Sequence, residues 1–169
     1  MENEIINKVA NSVLKTVDLE DFYPKGKRVL FDIKDWLFHE LILKEKEFRE
    51  SVDNHDWSQY QQSFVAITCT ADAIIPSWAF MLVTSKLVPF ANKVVIGNLE
   101  TLETILYQKI IEDLSTEDFQ GKPVIIKGCS EKSVPHAAFS FLIEKLQPIA
   151  KSILFGEACS SVPIYKAKK

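Results

Sequence analysis

The sequence predicts an α/β protein with a mainly parallel sheet of about five strands and helices on both faces. Two observations support this prediction. Short apolar segments typical of strands alternate with longer segments of helical periodicity between residues 28 and 155. A strand–helix–strand pattern also occurs twice, over 57–98 and 116–157. Because strands separated by helices need crossover connections, this alternation favours parallel pairing.

The elements follow in order along the chain. Apolar residues at near-helical spacing predict an amphipathic N-terminal helix over residues 3–15. The strands are apolar segments bounded by turn residues, and we predict them at 28–33, 64–68, 93–97, 123–127 and 152–155. The helices have apolar residues every three or four positions, and we predict them at 41–52, 75–91, 99–114 and 134–150.

The repeated pattern is visible in the sequence itself. "VAITCTADAIIPSWAF" begins at residue 65, and "VIIKGCSEKSVPHAAF" begins at residue 124. Each runs from a predicted strand through a cysteine and a hydroxyl residue to Pro, Ala and Phe. Most of the shared positions fit the packing of two similar helices on a sheet. We therefore predict a single α/β domain over 1–169 with an internal repeat at 57–98 and 116–157.

The composition excludes several classes of protein. The 169 residues are 47% hydrophobic and carry a net charge of −3, which is typical of a globular protein without a general affinity for nucleic acid. No segment has the pattern of a signal peptide or a membrane span, so we expect a cytoplasmic protein that does not bind membranes. With five glycines and no phosphate-binding loop, no nucleotide cofactor is expected.

The three cysteines are the candidate functional residues. Cys69, Cys129 and Cys159 each follow a predicted strand, and each is followed by Ser or Thr. Ligands of open parallel sheets bind beyond the carboxyl ends of the strands, so all three thiols are predicted at the functional edge. Asp32 closes the first predicted strand at the same edge. A thiol at the start of a helix also has a lowered pKa, because the helix dipole stabilises the thiolate.

Three interpretations of these thiols stay open. The first is a zinc or iron–sulfur site held by the three cysteines, completed by Asp72, His136 or an exogenous ligand. The second is a thiol-dependent enzyme for sulfur or acyl transfer, with His136 as the base. The third is an interaction module whose cysteines are buried core residues. The apolar helices are also compatible with a homodimer, although nothing in the sequence establishes one.

Several segments together resemble a known family. They include "LEDFYPKGKRVLFDIKDWLF", "VAITCTADAIIPSWAFMLV" and "FGEACSSVPIYKAKK". Over nearly the whole chain the sequence resembles an uncharacterised bacterial family, domain of unknown function 2480. The resemblance implies a gene neighbourhood of iron–sulfur cluster assembly and an accessory role there, with assembly proteins as partners. It places Cys69, Cys129 and Cys159 at the family's cysteine positions and identifies no catalytic residue.

Overall fold

A computed structural model of the protein describes residues 13–128 and 131–168. The chain divides into two compact units. Unit 1 consists of Met1–Tyr23 and Leu106–Lys169, and unit 2 consists of Pro24–Ile105. Each unit contains its own sheet and its own hydrophobic core.

The described residues form seven strands and four α-helices. The strands are β1 (Lys15–Asp18), β2 (Arg28–Asp32), β3 (Phe64–Thr68), β4 (Lys93–Ile96), β5 (Pro123–Lys127), β6 (Ser152–Glu157) and β7 (Ser160–Lys166). The helices are α1 (Glu45–Asn54), α2 (Ser77–Leu87), α3 (Leu99–Asp113) and α4 (His136–Leu146). Short 3-10 helices lie at Leu19–Phe22, Ile33–Trp36, Trp57–Tyr60 and Glu117–Phe119.

Unit 2 contains a three-stranded parallel sheet in the order β2-β3-β4. The central strand β3 is apolar throughout its buried part, as expected for a parallel strand covered on both faces. Helix α2 buries Ala79, Val83 and Leu87, which lie one turn apart on the same face. They pack in one core cluster with Phe48 and Val52 of α1.

Unit 1 contains a four-stranded sheet in the order β1-β5-β6-β7. β1, β5 and β6 pair in parallel, whereas β7 returns antiparallel to β6 after a tight turn. Helix α4 buries Leu142 and Leu146 in a core that also contains Tyr107 of α3. The Tyr107 hydroxyl is buried and donates a hydrogen bond to the Leu19 carbonyl oxygen at 3.0 Å, so a polar group in this core is satisfied.

The predicted α/β class and the mostly parallel pairing are confirmed, but the strand count differs. The described residues contain seven strands in two sheets rather than five in one, because β1 and β7 were not predicted. Residues 3–12 of the predicted N-terminal helix lie outside the described residues, and Lys15 at its other end begins β1.

The two predicted repeat segments contain the same elements in the same order. Residues 57–98 and 116–157 each form a 3-10 helix, a strand, an α-helix and a second strand. The helices α2 and α4 each have 11 residues and follow a proline with extended backbone, Pro76 and Pro135. These prolines explain why the helices begin two residues later than the predicted starts at 75 and 134. Proline disfavours the helical conformation at the residue that precedes it. An internal duplication and a single domain over 1–169 stay predictions.

Candidate thiol site at the carboxyl ends of the strands

The thiol loop of unit 2 is held by an aspartate from the neighbouring strand. Cys69 and Thr70 follow the end of β3, and Asp32 is the last residue of β2 beside it. The Asp32 carboxylate accepts hydrogen bonds from the Thr70 backbone N–H at 3.1 Å and the Thr70 hydroxyl at 2.5 Å. It also accepts one from the Lys34 N–H at 3.0 Å. Asp32 therefore binds the residue directly after the thiol and caps its own 3-10 helix.

The electrostatics of Asp32 follow from these contacts. Partial burial raises the pKa of Asp32, but the hydrogen bonds from Thr70 and Lys34 and the nearby Lys34 charge outweigh this effect. The pKa of Asp32 therefore lies below its ordinary value, and the carboxylate is charged at neutral pH. The Thr70 hydroxyl is used as a donor to Asp32, so its position is explained by the loop. The half-buried Cys69 thiol lies 3.9 Å from the Ala71 carbonyl oxygen.

In unit 1 a buried glutamate holds the loop that follows Cys129. Cys129 and Ser130 themselves lie outside the described residues. Glu20 is 8% exposed and accepts a hydrogen bond from the Glu131 N–H, at 3.1 Å to Oε1 and 3.3 Å to Oε2. The Lys132 ammonium donates to the Glu20 carbonyl oxygen at 2.8 Å. Two contacts therefore attach this loop to the 3-10 helix after β1.

A glycine brings the same loop close to that helix. Gly128 follows β5 and has a φ of +139°, a conformation that favours glycine. A Cβ atom at this position would lie 2.8 Å from the Leu19 Cβ. The residue between the strand and Cys129 thus has a structural reason to be glycine.

A repeated five-residue pattern supplies the acids in both units. The 3-10 helices after β1 and β2 begin within "DLEDF" (18–22) and "DIKDW" (32–36). In the first, Asp18 accepts a hydrogen bond from the Glu20 N–H at 3.0 Å, as Asp32 does from the Lys34 N–H in the second. Asp32 was predicted from the sequence at this edge, whereas Glu20 was not. Both segments have Asp at the first and fourth positions, an apolar residue at the second and an aromatic residue at the fifth. This shared pattern was the signal in the sequence that could have related the two segments.

Two cysteines of unit 1 follow neighbouring strands. β5 and β6 pair in parallel, and Cys129 and Cys159 each come two residues after the end of one of them. Cys159 is exposed in the turn between β6 and β7. The strand ends are joined by an ion pair, with the Lys127 ammonium 2.7 Å from a Glu157 carboxylate oxygen. The hydrogen bond to Glu157 raises the pKa of Lys127, so a protonated lysine lies within an ion pair next to the carboxyl ends of both strands.

The other predicted site residues divide between the units. Asp72 is an exposed residue of the unit 2 loop after Cys69. His136 is the exposed first residue of α4 in unit 1 and lines a cavity with Ile126 and Phe155, near the carboxyl ends of β5 and β6. Among the described residues, which exclude Cys129, no group of three His, Cys, Asp or Glu side chains is arranged to hold a metal ion.

These features define an α/β protein in which an acid at or just after the end of the first strand of each unit holds a loop that begins or follows a cysteine, at the carboxyl ends of parallel strands. The chain belongs to the family described as Protein of unknown function (DUF2480), whose model matches residues 3–167. The resemblance seen in the sequence is therefore confirmed. Comparison with curated proteins and with solved structures found no match. No helix in the described part of the chain is long and apolar enough to cross a membrane.

Proposed function

We propose that the protein is a cytoplasmic accessory protein that holds a metal ion or an iron–sulfur species with cysteine thiolates, in iron–sulfur cluster assembly. The observation that supports this most directly is the pairing of β5 with β6. Adjacent strands lie about 4.8 Å apart, so the segments that follow them start close together. Cys129 and Cys159, which follow these strands at equal distances along the chain, are the proposed first two ligands.

The charge near the strand ends also supports a thiolate site. A thiolate rather than a thiol binds zinc and iron, and a neighbouring cation favours the thiolate. Lys127 provides such a cation two residues before Cys129, and its ion pair with Glu157 keeps it at the strand ends. The loop after Cys129 is attached through Glu20, which limits the conformations that the thiolate has to lose on binding.

The remaining ligands are part of the proposal and are tested separately. Cys69 is the proposed third thiolate, and Asp72 and His136 are the predicted additional ligands. A structural zinc ion and the common iron–sulfur clusters each take four ligands outside the cluster, so three cysteines leave one position for Asp72, His136 or an exogenous ligand. The exposed position of Cys159 does not fit a core cysteine, which counts against the interpretation of this residue as a buried structural thiol.

Metal analysis of protein purified without oxygen tests the proposal. We expect bound zinc, or iron with sulfide and visible absorption, in the wild type and a loss of that content in Cys129→Ser and Cys159→Ser. The metal content of Cys69→Ser shows whether the Cys69 thiol is also a ligand. Urea unfolding of each variant controls for the fold. A metal-free wild type under these conditions would contradict the proposal, and one rapidly alkylated thiol without metal would favour the enzyme.

A further inference from the structure

Unit 1 contains an apolar cavity beside helix α4. Its volume is about 500 Å³, which falls within the range of roughly 300–1,000 Å³ typical of small-molecule sites. It is lined by five apolar side chains and one polar one: Ile126, Phe139, Ile143, Phe155, Ile164 and His136. A cavity with this lining disfavours a ligand that is polar along its whole length, because polar groups placed against the apolar side chains would lose hydrogen bonds to water without replacement.

Three of the lining residues follow one another along one side of helix α4, and the polar one is at the start of the helix. His136 and Ile143 line it from the same helix, seven residues or about 10 Å apart along the axis. Phe139 lies between them, on the same side of the helix. The polar side chain is thus at the first residue of α4, and Phe139 and Ile143 follow it along the helix. A linear ligand with a polar head and an apolar chain matches this arrangement.

The start of α4, where His136 lines the cavity, favours an anionic head group. His136 begins α4, an eleven-residue helix whose N-terminal residue follows Pro135, and no side chain caps that end. The positive end of the helix dipole and the His136 imidazole therefore lie together at the first residue of α4. Among the apolar lining residues, Ile164 is 53% exposed, and covering it with an aliphatic chain would remove apolar surface from water.

We propose that this cavity binds a medium-chain aliphatic carboxylate, with the carboxylate at His136 and the chain along Phe139, Ile143 and Ile164. This site goes beyond the metal site proposed above: the two share only His136, an additional ligand there, and the cavity site uses none of the cysteines. The proposal needs no metal, so its test uses the full chain without added metal, and failure of one proposal leaves the other standing.

Titration of the methyl-labelled protein with sodium decanoate tests the site directly. With ¹³C-labelled isoleucine δ1 methyl groups, the signals of Ile126, Ile143 and Ile164 are expected to shift together and to saturate below the micelle concentration. Ile67 of unit 2 should not move. Each methylene added between hexanoate and decanoate should raise the affinity by up to about fourfold, because it buries more apolar surface. Equal affinities across the series, or equal shifts in both units, would overturn the proposal.

Two substitutions separate the roles of chain and head group. Ile164→Trp places an indole in the cavity and should weaken decanoate binding by about tenfold or more, corresponding to the loss of about two buried methylenes. Met81→Trp, at an exposed position of α2 in unit 2, is the matched control and should leave binding unchanged. His136→Gln should weaken binding of decanoate but not of decanol. If decanoate and decanol bind the wild type equally well, the assignment of a carboxylate is wrong. If Ile164→Trp fails to fold, the chain-length series with the wild type still tests whether the cavity binds the aliphatic chain.

Discussion

The two thiol loops are held by similar elements in different ways. In unit 2 the short side chain of Asp32 reaches Thr70 directly, because Cys69 follows β3 without an intervening residue. In unit 1 Gly128 is inserted after β5, and the longer Glu20 binds the loop instead. Asp18, which occupies the position of Asp32 in the repeated pattern, binds the Glu20 N–H. The comparison shows that a 3-10 helix after the first strand can position a loop through either acid, depending on the length of the loop.

The largest difference in stability between the units is expected from the loss of an ion pair in each. Arg28 of β2 binds Glu103 through two hydrogen bonds, 2.6 and 3.2 Å long, and the side chains are only 13% and 8% exposed. Glu103→Ala leaves a buried guanidinium without this carboxylate and should lower the free energy of unfolding by about 3–5 kcal/mol. Lys15 of β1 lies 3.8 Å from the exposed Asp118, so Lys15→Ala should cost at most about 1 kcal/mol.

Urea denaturation measures both variants. Similar losses from Glu103→Ala and Lys15→Ala would show that burial does not distinguish the two pairs. Replacement of both Arg28 and Glu103 by apolar residues provides a further control, since removal of a whole buried pair is expected to cost less than removal of one partner.

Loss of the Glu20 carboxylate should release the loop after Cys129. Glu20→Ala leaves the Glu131 N–H without this acceptor, and we expect a loss of about 2 kcal/mol in stability. Glu20→Gln retains an acceptor oxygen and should cost less. Hydrogen exchange at the Glu131 amide is the measurement, and its rate should rise in the alanine variant more than in the glutamine variant. Unchanged exchange in both would show that the contact does not hold the loop.

Loss of the Asp32 carboxylate should have a somewhat smaller, pH-dependent effect. Asp32→Ala removes three hydrogen bonds at a partly exposed site and should cost about 1–2 kcal/mol at neutral pH, against about 1 kcal/mol for Asp18→Ala. The pKa of Asp32 is lowered in the folded state, so its contribution is present above the unfolded pKa of about 3.9 and is lost as the pH falls through the folded value. The difference between wild type and Asp32→Ala should therefore shrink in acid, as measured by urea midpoints at several pH values.

The smallest expected effect on stability comes from protonation of His55 in unit 2. His55 lies among the rings of Phe31, Trp36 and Trp57, and its Nε2 is 2.9 Å from the Tyr60 hydroxyl oxygen. Burial lowers the pKa of His55, an effect that Asp56 only partly offsets. The neutral ring is therefore favoured in the fold, and stability should fall as the pH drops below the unfolded value of about 6.5.

His55→Phe should remove this pH dependence while keeping an aromatic ring in the cluster. Urea midpoints between pH 8 and pH 5 measure it. A wild type and a variant with the same slope over this range would contradict the assignment of the slope to His55.

The central elements could be predicted because their apolar patterns are long and regular. β3, β5 and the helices α2, α3 and α4 each bury a continuous face, so periodicity alone locates them to within a few residues. β1 was missed because it has four residues and follows a segment with helical spacing. β7 was missed because it is an edge strand with an exposed pattern and contains Pro163, a residue that argues against a strand from sequence alone.

The site was less predictable because its contacts are not local in sequence. Positions after strands place Cys69 and Cys159 at the carboxyl edge without any structure. The bond from Glu131 to Glu20, 111 residues earlier, depends on the pairing of β1 with β5, and the sequence does not state strand order. The cavity beside α4 could not be predicted either, because one of its lining residues, Ile164, belongs to β7, which was not predicted.

The proposed function requires that Cys129 and Cys159 bind one metal ion or cluster together. The most direct test is thiol alkylation of the protein purified without oxygen, with and without one equivalent of zinc, with mass spectrometry of each cysteine. We expect zinc to protect Cys129 and Cys159 from alkylation in parallel, and Cys159→Ser to abolish the protection of Cys129. Equal alkylation of both thiols with and without zinc, or protection of Cys129 that persists in Cys159→Ser, would contradict the claim.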